Sequence, residues 1–593
     1  MSGKIKTSLF LIATTAYCLL SWIAMRNDYF TVGAELSTNQ QLVHLSITAA
    51  GVLIITLVKS PRIEAFIQRI SSLPLKEWAS TCAAAAIIAV TLLNYPRNKI
   101  SLQMLTWGLM ESTRAFVEDM FLAGAAVGLV SLIVINAPVI AEKAHRVAEK
   151  LLFQSPRYLF LSTAILIVFL VTNAISLYQF HHVPICSDEV CYIFQSKIFA
   201  SGQLYAKPPR YPEFFQFVSF ISNSGKWYSI VAPGYPLLLT LGLFVGATWI
   251  VNPTLAALCV LLVYLTAARI YDERIARGAA SLTVVSPFFL MLSSVHLSHI
   301  AAAFFFLLFL YLFLRSLSGN HPLICFLGGV SLGAMVLTRP LTGLAASVPW
   351  GAYTLWLLYK RRVPFTNALW LALGLTVPFI PAIALSAIPF ALPSRNKWDY
   401  LLLAHLLAIP AVHFFFFHQD FFFGPRYYFC ITPAALILAA RGLREAPVVW
   451  KRFSGSVEDR MVGSRFLTVL VLVCAAFGLA VFLPEKLGEY NLSSPIHQGV
   501  PAPIWRHVDS GKINNAVIFI SNFPSTLAYG TGLWRNDPDL EGEIVYALDR
   551  GPANMRLMEQ YAGRKFYRYM PITDSFEEIL PPTHSIAAPA LSP

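Results

Sequence analysis

Charge is what this sequence has least of. Only 13% of its 593 residues are Asp, Glu, Lys or Arg, about half the share of an ordinary soluble domain. With 56% hydrophobic residues and a mean hydropathy of +0.61, the chain is not a water-soluble globule. A glycine-rich nucleotide loop, an internal repeat and a basic run interleaved with aromatics are also missing. Their absence removes the usual marks of nucleotide-driven, repeat-built and nucleic-acid-binding proteins. Cysteine is sparse too. Six of eight (Cys18, Cys82, Cys259, Cys325, Cys430 and Cys474) fall inside apolar runs, where a thiol acts as a small hydrophobe. Cys186 and Cys191 remain, as a small disulfide or as two thiols, and no second ligand pair follows at a zinc spacing.

What is present is apolar length. About 13–15 stretches approach the roughly 20 helical residues needed to cross a hydrocarbon layer. The expected fold class is an α-helical polytopic membrane protein with a small soluble α/β domain at its C-terminal end. Four spans are expected in the first 157 residues: Leu9 to Met25, Leu42 to Val58, Trp78 to Leu93 and Met120 to Ile140. The basic start and apolar run at the N-terminus read as a retained first helix, because no small-x-small cleavage site follows. Residues 59–76 and 142–157 carry clustered Lys and Arg, so both are expected to be cytoplasmic loops. The fifth span, Tyr158 to Tyr178, then leads outward.

A membrane domain is expected over 158–483, with an outer loop at 179–236 and further spans near 278–294, 300–315, 322–338, 341–359, 366–386, 400–418, 427–441 and 466–483. Residues 234–250 and 252–268 cannot both cross, since that would put the 360–362 LysArgArg cluster outside. With one of them re-entrant or superficial, Arg269, Arg274, Arg277 and 360–362 share the cytoplasmic side, while His296, His299 and Arg339 share the outer side. From 484 to 593 the composition turns soluble. NNAVIFI (514–520), GEIVYAL (542–548) and KFYRYM (565–570) read as strands, and 553–563 as an amphipathic helix.

The polar stretch from His181 to Pro236 organises the rest. It places adjacent carboxylates, Asp188 and Glu189, about ten residues beyond the fifth span, where an ionised group needs water, a partner or a substrate. Cys191 to Phe199 reads as a helix lying in the interface. Arg339 and Arg426 bring guanidinium forks suited to phosphate oxygens. Each could also simply snorkel. His296 and His299, three apart, are either hydrogen-bonded to loops or, with Asp188 or Glu189, ligands of a divalent metal. No metal or other cofactor is assigned. Trp227 and Tyr228 could stack on sugar or lipid, or serve as interfacial anchors.

Five motifs occur in family order: SDEVCYIFQSKIFASGQLY, KWYSIVAPGYPLLL, LSHIAAAFFFLLFLYLFLRS, LTRPLTG and GPRYYFCITPAALILAARGL. Together, over about 158–483, the chain resembles the polyprenyl-phosphate-sugar glycosyltransferases of the GT-C fold, the superfamily of protein O-mannosyltransferases and the lipid A aminoarabinose transferase. The resemblance implies that Asp188, with Glu189 beside it, supplies the catalytic base, and that Arg426 contacts the donor phosphate; the adjacent Tyr427 is a further candidate for the donor phosphate or its lipid. It also implies a bacterial inner membrane, a site on the periplasmic side, and a glycan, lipid or protein acceptor. Two departures stand out: four further spans stand ahead of the one that leads into the acidic loop, and Ser298-His299 stand where several relatives carry an acid. The chemistry is consistent with these residues, because a base for the acceptor and cations for the departing phosphate suffice for an inverting transfer. The rival class is a transporter or flippase of a lipid-linked precursor, which would be expected to place ionisable groups at mid-membrane, often in repeated halves.

Overall fold

The computed structural model describes residues 8, 11–16, 18, 128–216, 220–223, 225–319, 321–376, 429–430, 432–434, 436–437, 439–441, 458–489, 504, 507–521, 532–571 and 573–580. The spans expected at 42–58, 78–93 and 400–418 lie outside these residues. Those at 9–25, 366–386 and 427–441 are described only in part.

Helix α1 (Gly128–Asn136) turns through 105° at Ala137-Pro138 into α2 (Pro138–Ala148), which continues as a π turn to Gln154. The expected span to Ile140 therefore ends at Asn136, and the basic stretch expected as a loop is largely helical. Proline explains the break, since it has no N–H to continue the ladder of α1 but suits the first turn of α2. Helix α3 (Arg157–Tyr178) follows, with 22 residues, long enough to span. After the outer loop come α4 (Ser187–Ala200), the hairpin β1 (Phe220–Asn223) and β2 (Lys226–Ser229), α5 (Gly234–Phe244) and α6 (Val251–Ile270).

Helix α5 has only 11 residues, about 16 Å of rise against roughly 30 Å of hydrocarbon. Of the two stretches in question, only the second is long and apolar enough to cross. The span expected at 278–294 is divided into α7 (Glu273–Val284) and α8 (Pro287–Leu292). Asp272 caps α7 by accepting from the Arg274 and Ile275 N–H groups, and Ser286 caps α8 just ahead of Pro287. Then follow α9 (His299–Ser316), α10 (Pro322–Thr338), α11 (Pro340–Tyr359), α12 (Phe365–Thr376) and α13 (Glu458–Phe477).

Polar contacts sort the helix ends. Arg274 forks onto Glu149 at 2.6 Å through both nitrogens, Arg277 donates to the Ser155 carbonyl at 2.8 Å, and Arg157 lies over the Tyr264 ring. Arg269 donates to Leu314 O, and Asn367 to Ser316 O, bringing the ends of α9 and α12 to the same place. At the other end of α3, His182 stacks on Trp249 at 4.3 Å. Arg269, Arg274 and Arg277 thus share one end with the 360–362 turn, and His296, His299 and Arg339 gather at the opposite end with the acidic loop.

The C-terminal residues form a mixed sheet of order β4-β3-β5-β6 (Ile544–Leu548, Ala516–Ile520, Lys565–Met570, Ser575–Glu578), with helix Asn554–Gln560 ahead of β5. Central β3 is parallel to both neighbours and buried throughout, as a strand covered on both faces must be. Val517 and Phe519 face one core, and Ile518 and Ile520 the other. Edge strand β6, antiparallel to β5, has no counterpart in the sequence reading.

Candidate functional site

Helix α4 starts after Cys186, and its first turn carries both acids. Glu189 is 0% exposed. Its carboxylate accepts from the Ile185 N–H at 3.1 Å and the Cys186 thiol at 3.7 Å. This third-position Glu reaches back past the N-cap Cys186 to the residue before it, one residue beyond the N–H that a capping box engages. His296 Nδ1 lies 3.8 Å from Glu189, and His296 Nε2 is 3.2 Å from the Thr248 hydroxyl. Burial pushes His296 down to about 4, with His182 acting in the same sense. The ring is therefore a neutral hydrogen-bonding group at pH 7. Asp188, one residue earlier, is half-buried. The pair is thus divided: Glu189 is enclosed and bonded to its own turn, and Asp188 is half-buried.

One helical turn after Asp188, Tyr192 shares its face. Its hydroxyl lies 3.0 Å from Ser298 Oγ, which also accepts from Arg339 Nη1 at 3.1 Å. Arg339 is half-buried and occupies the junction of α10 and α11. Ser298 is held by its own loop, because Asn252 at the start of α6 donates to the carbonyls of Val295 and Leu297. Asn252 in turn accepts from Tyr235 at 3.0 Å, and the Tyr235 ring meets Tyr192 edge-on at 4.9 Å. Gly234 allows the approach of α5: a Cβ there would stand 2.7 Å from Thr338 Oγ1 and 2.8 Å from the Leu337 carbonyl carbon.

Tyr192, Asn252 and Gly234 are not candidates in the sequence reading, and Ser298 enters it only as standing where relatives carry an acid. Their signal was faint: a tyrosine four residues after an acid, an Asn-Pro at a helix start and a glycine ahead of Tyr-Pro. Of the expected candidates, Asp188, Glu189, His296, His299 and Arg339 share one end. His299 opens α9, 1% exposed, with its ring edge-on to Phe429 at 6.4 Å. Trp227 does not join them as an exposed surface. It is a core residue packed on Phe194 at 4.6 Å, which removes its faces from any sugar. Tyr228 pairs opposite Ile221 in the hairpin. Arg426 and Tyr427 lie outside the described residues.

Helix α4 is not an interfacial helix. Glu189 through Ser196 are all buried, with Val190, Cys191, Tyr192 and Ile193 in the core of the helical bundle and Phe194 and Ile198 under the hairpin and the C-terminal sheet. Cys186 and Cys191 are separate thiols, and burial pushes Cys191 up to about 12. Among the described residues, no three His, Cys, Asp or Glu side chains converge as metal ligands. Among the described residues, Asp188, Arg339, Tyr192 and Ser298 thus lie together at a single end of a helical bundle.

The C-terminal sheet matches a family described as a domain of unknown function, DUF7846, over residues 516–577. No curated protein matches the chain. Among solved structures, the chain is similar to ArnT from Cupriavidus metallidurans bound to undecaprenyl phosphate, at 12% identity and a TM-score of 0.40, covering 70% of this chain and 92% of that one. The apo state of the same protein gives 14% identity and a TM-score of 0.41, with the same coverage. The archaeal oligosaccharyltransferase AglB from Archaeoglobus fulgidus, in complex with an inhibitory peptide and a dolichol-phosphate, is similar at 16% identity and a TM-score of 0.25, covering 59% of this chain and 40% of that one.

Proposed function

We propose that this chain is an integral membrane glycosyltransferase that moves a sugar from a polyprenyl-phosphate donor to an acceptor, with inversion and with Asp188 as general base. The observation that carries the reading is the Tyr192–Ser298–Arg339 connection. It ties the helix that presents a half-buried carboxyl group to a guanidinium at the same end of the bundle.

In this reading Asp188 takes the proton of the acceptor nucleophile as that atom attacks the anomeric carbon. The bond from the anomeric carbon to the phosphate oxygen breaks in line, and the electron pair leaves on polyprenyl phosphate. Arg339 holds the departing phosphate, whose added charge makes its guanidinium contacts stronger in the transition state than in the bound donor. Arg426 joins it on the strength of the sequence resemblance, with the adjacent Tyr427 a further candidate for the phosphate or its lipid. One carboxylate suffices, since no covalent sugar intermediate is needed, and this agrees with a buried Glu189 given over to the helix turn.

We place the reaction in a bacterial inner membrane with the site on the periplasmic side, following the resemblance and the clustering of basic residues at the opposite end. The test is turnover of purified, reconstituted protein on a panel of polyprenyl-phosphate sugars, scored by release of polyprenyl phosphate. Asp188→Asn is expected to bind donor and lose about 100-fold or more in turnover. Retained turnover would remove Asp188 from the mechanism. If the wild type leaves every donor intact yet moves labelled lipid between leaflets, the chain is a flippase.

A further inference from the structure

Helix α4 is held at both ends, and its far end is held by the C-terminal domain. Lys197, in the last turn, is only 17% exposed. Its ammonium donates to the carbonyls of Arg535 at 2.8 Å and Asn536 at 3.0 Å, and stands 3.3 Å from the Asp537 carboxylate. Three acceptors match the three donors of an ammonium group. Burial lowers the affinity of Lys197 for its proton, and Asp537 opposes that shift.

The acceptors are themselves anchored. The Asn536 side chain is buried and bonds both main-chain groups of Tyr546, at 2.7 and 2.8 Å, which fastens this loop to β4. On the same side of α4, Phe194 and Ile198 belong to one core with Val517, Phe519, Val545 and Phe566 of the sheet. A second tie runs from Arg550, whose guanidinium donates twice to the Glu213 carbonyl of the outer loop, at 2.9 and 2.8 Å.

We propose that the C-terminal sheet splints α4, and that Lys197 is the positioning residue through which it holds Asp188 and Tyr192 in register with Ser298 and Arg339. A helix of 14 residues is marginal by itself in water, while a reacting group must keep its place to within about 0.5 Å. Burying an ammonium costs more than burying an apolar side chain of the same length unless its partners are complete. Here they are complete, and they belong to the other domain.

The inference rests on the transferase reading for its kinetic consequence only, so the experiment has two arms on the full-length reconstituted protein. Hydrogen exchange of the amides in 187–200 reads the splint directly. Lys197→Met is expected to speed their exchange about 10-fold or more, as expected for loss of a local stabilising contact. In the kinetic arm, kcat falls about 10-fold while KM for the polyprenyl-phosphate sugar stays within about 2-fold, the mark of a displaced group rather than lost donor binding. Lys197→Arg, which keeps a charged donor, recovers part of both.

Unchanged exchange along α4 in Lys197→Met overturns the proposal, as does faster exchange with an unchanged kcat. If Lys197→Met does not fold, Asp537→Ala, on the more exposed side of the contact, carries the test with the same expected directions. If the wild type consumes no donor, the transferase reading fails, and the exchange arm still decides whether the sheet splints α4.

Discussion

Glu189 Oε2 lies 3.8 Å from His296 Nδ1, and both side chains are enclosed by protein. The approach packs the first turn of α4 against the loop between α8 and α9, and the Tyr192–Ser298 hydrogen bond ties the same two segments together.

Stability should fall in mild acid. Folded His296 titrates near 4, and an unfolded imidazole near 6.5. Between these values the unfolded chain binds a proton that the native chain does not, so stability is lost as pH falls from about 6.5 to 4 and is unaffected above that window. The full contribution is about 3 kcal/mol. Thermal unfolding in detergent between pH 7.5 and 5 reads about 2 kcal/mol of it, and His296→Gln should flatten the slope. An equally steep slope in that variant would assign the effect to other groups.

Gly234→Ala should destabilise by about 1–3 kcal/mol, the usual cost of forcing a methyl into a packed contact. The obstruction is largely backbone: the new Cβ would meet Leu337 C and Thr338 N at 2.8 Å. Because Arg339 follows directly, donor affinity should weaken together with the melting temperature. A variant with wild-type melting and donor binding would show that α5 and α10 can separate freely.

Arg339→Lys should not behave as a conservative change. Lysine keeps the charge but lacks the planar fork that can bond Ser298 and a phosphate together. Polyprenyl-phosphate binding is expected to drop about 10-fold in Arg339→Lys and further in Arg339→Gln. Unaltered binding in Arg339→Gln would remove this guanidinium from the donor site.

The helical membrane architecture was legible because span-length apolar runs leave few alternatives, and Arg157–Tyr178 matches its expected span to within one residue. The strands of the soluble domain were legible from short β-branched and aromatic runs, except β6, whose SFEE is too polar to announce itself. Breaks were harder. Pro138 and Pro287 both looked compatible with continuous apolar segments, and each instead starts a new helix. The acid pair was visible in the sequence, but its division of labour was not. Whether Glu189 or Asp188 turns inward depends on the position of Ile185, Cys186 and His296, which only the folded chain fixes. Trp227 misled for a related reason, because its hairpin is covered by a domain that begins about 250 residues later.

The short α5 also bears on how the chain enters its membrane. An apolar segment of 11 residues is well under the roughly 20 that the bilayer accepts as a crossing. If α3 and α6 both cross, they do so as consecutive spans of opposite direction, and α4, the hairpin and α5 all lie on the side where α3 ends. Chain order then puts Asp188 into the growing protein before Ser298 and Arg339, so the contacts that tie α4 to them form only once those later residues have been made.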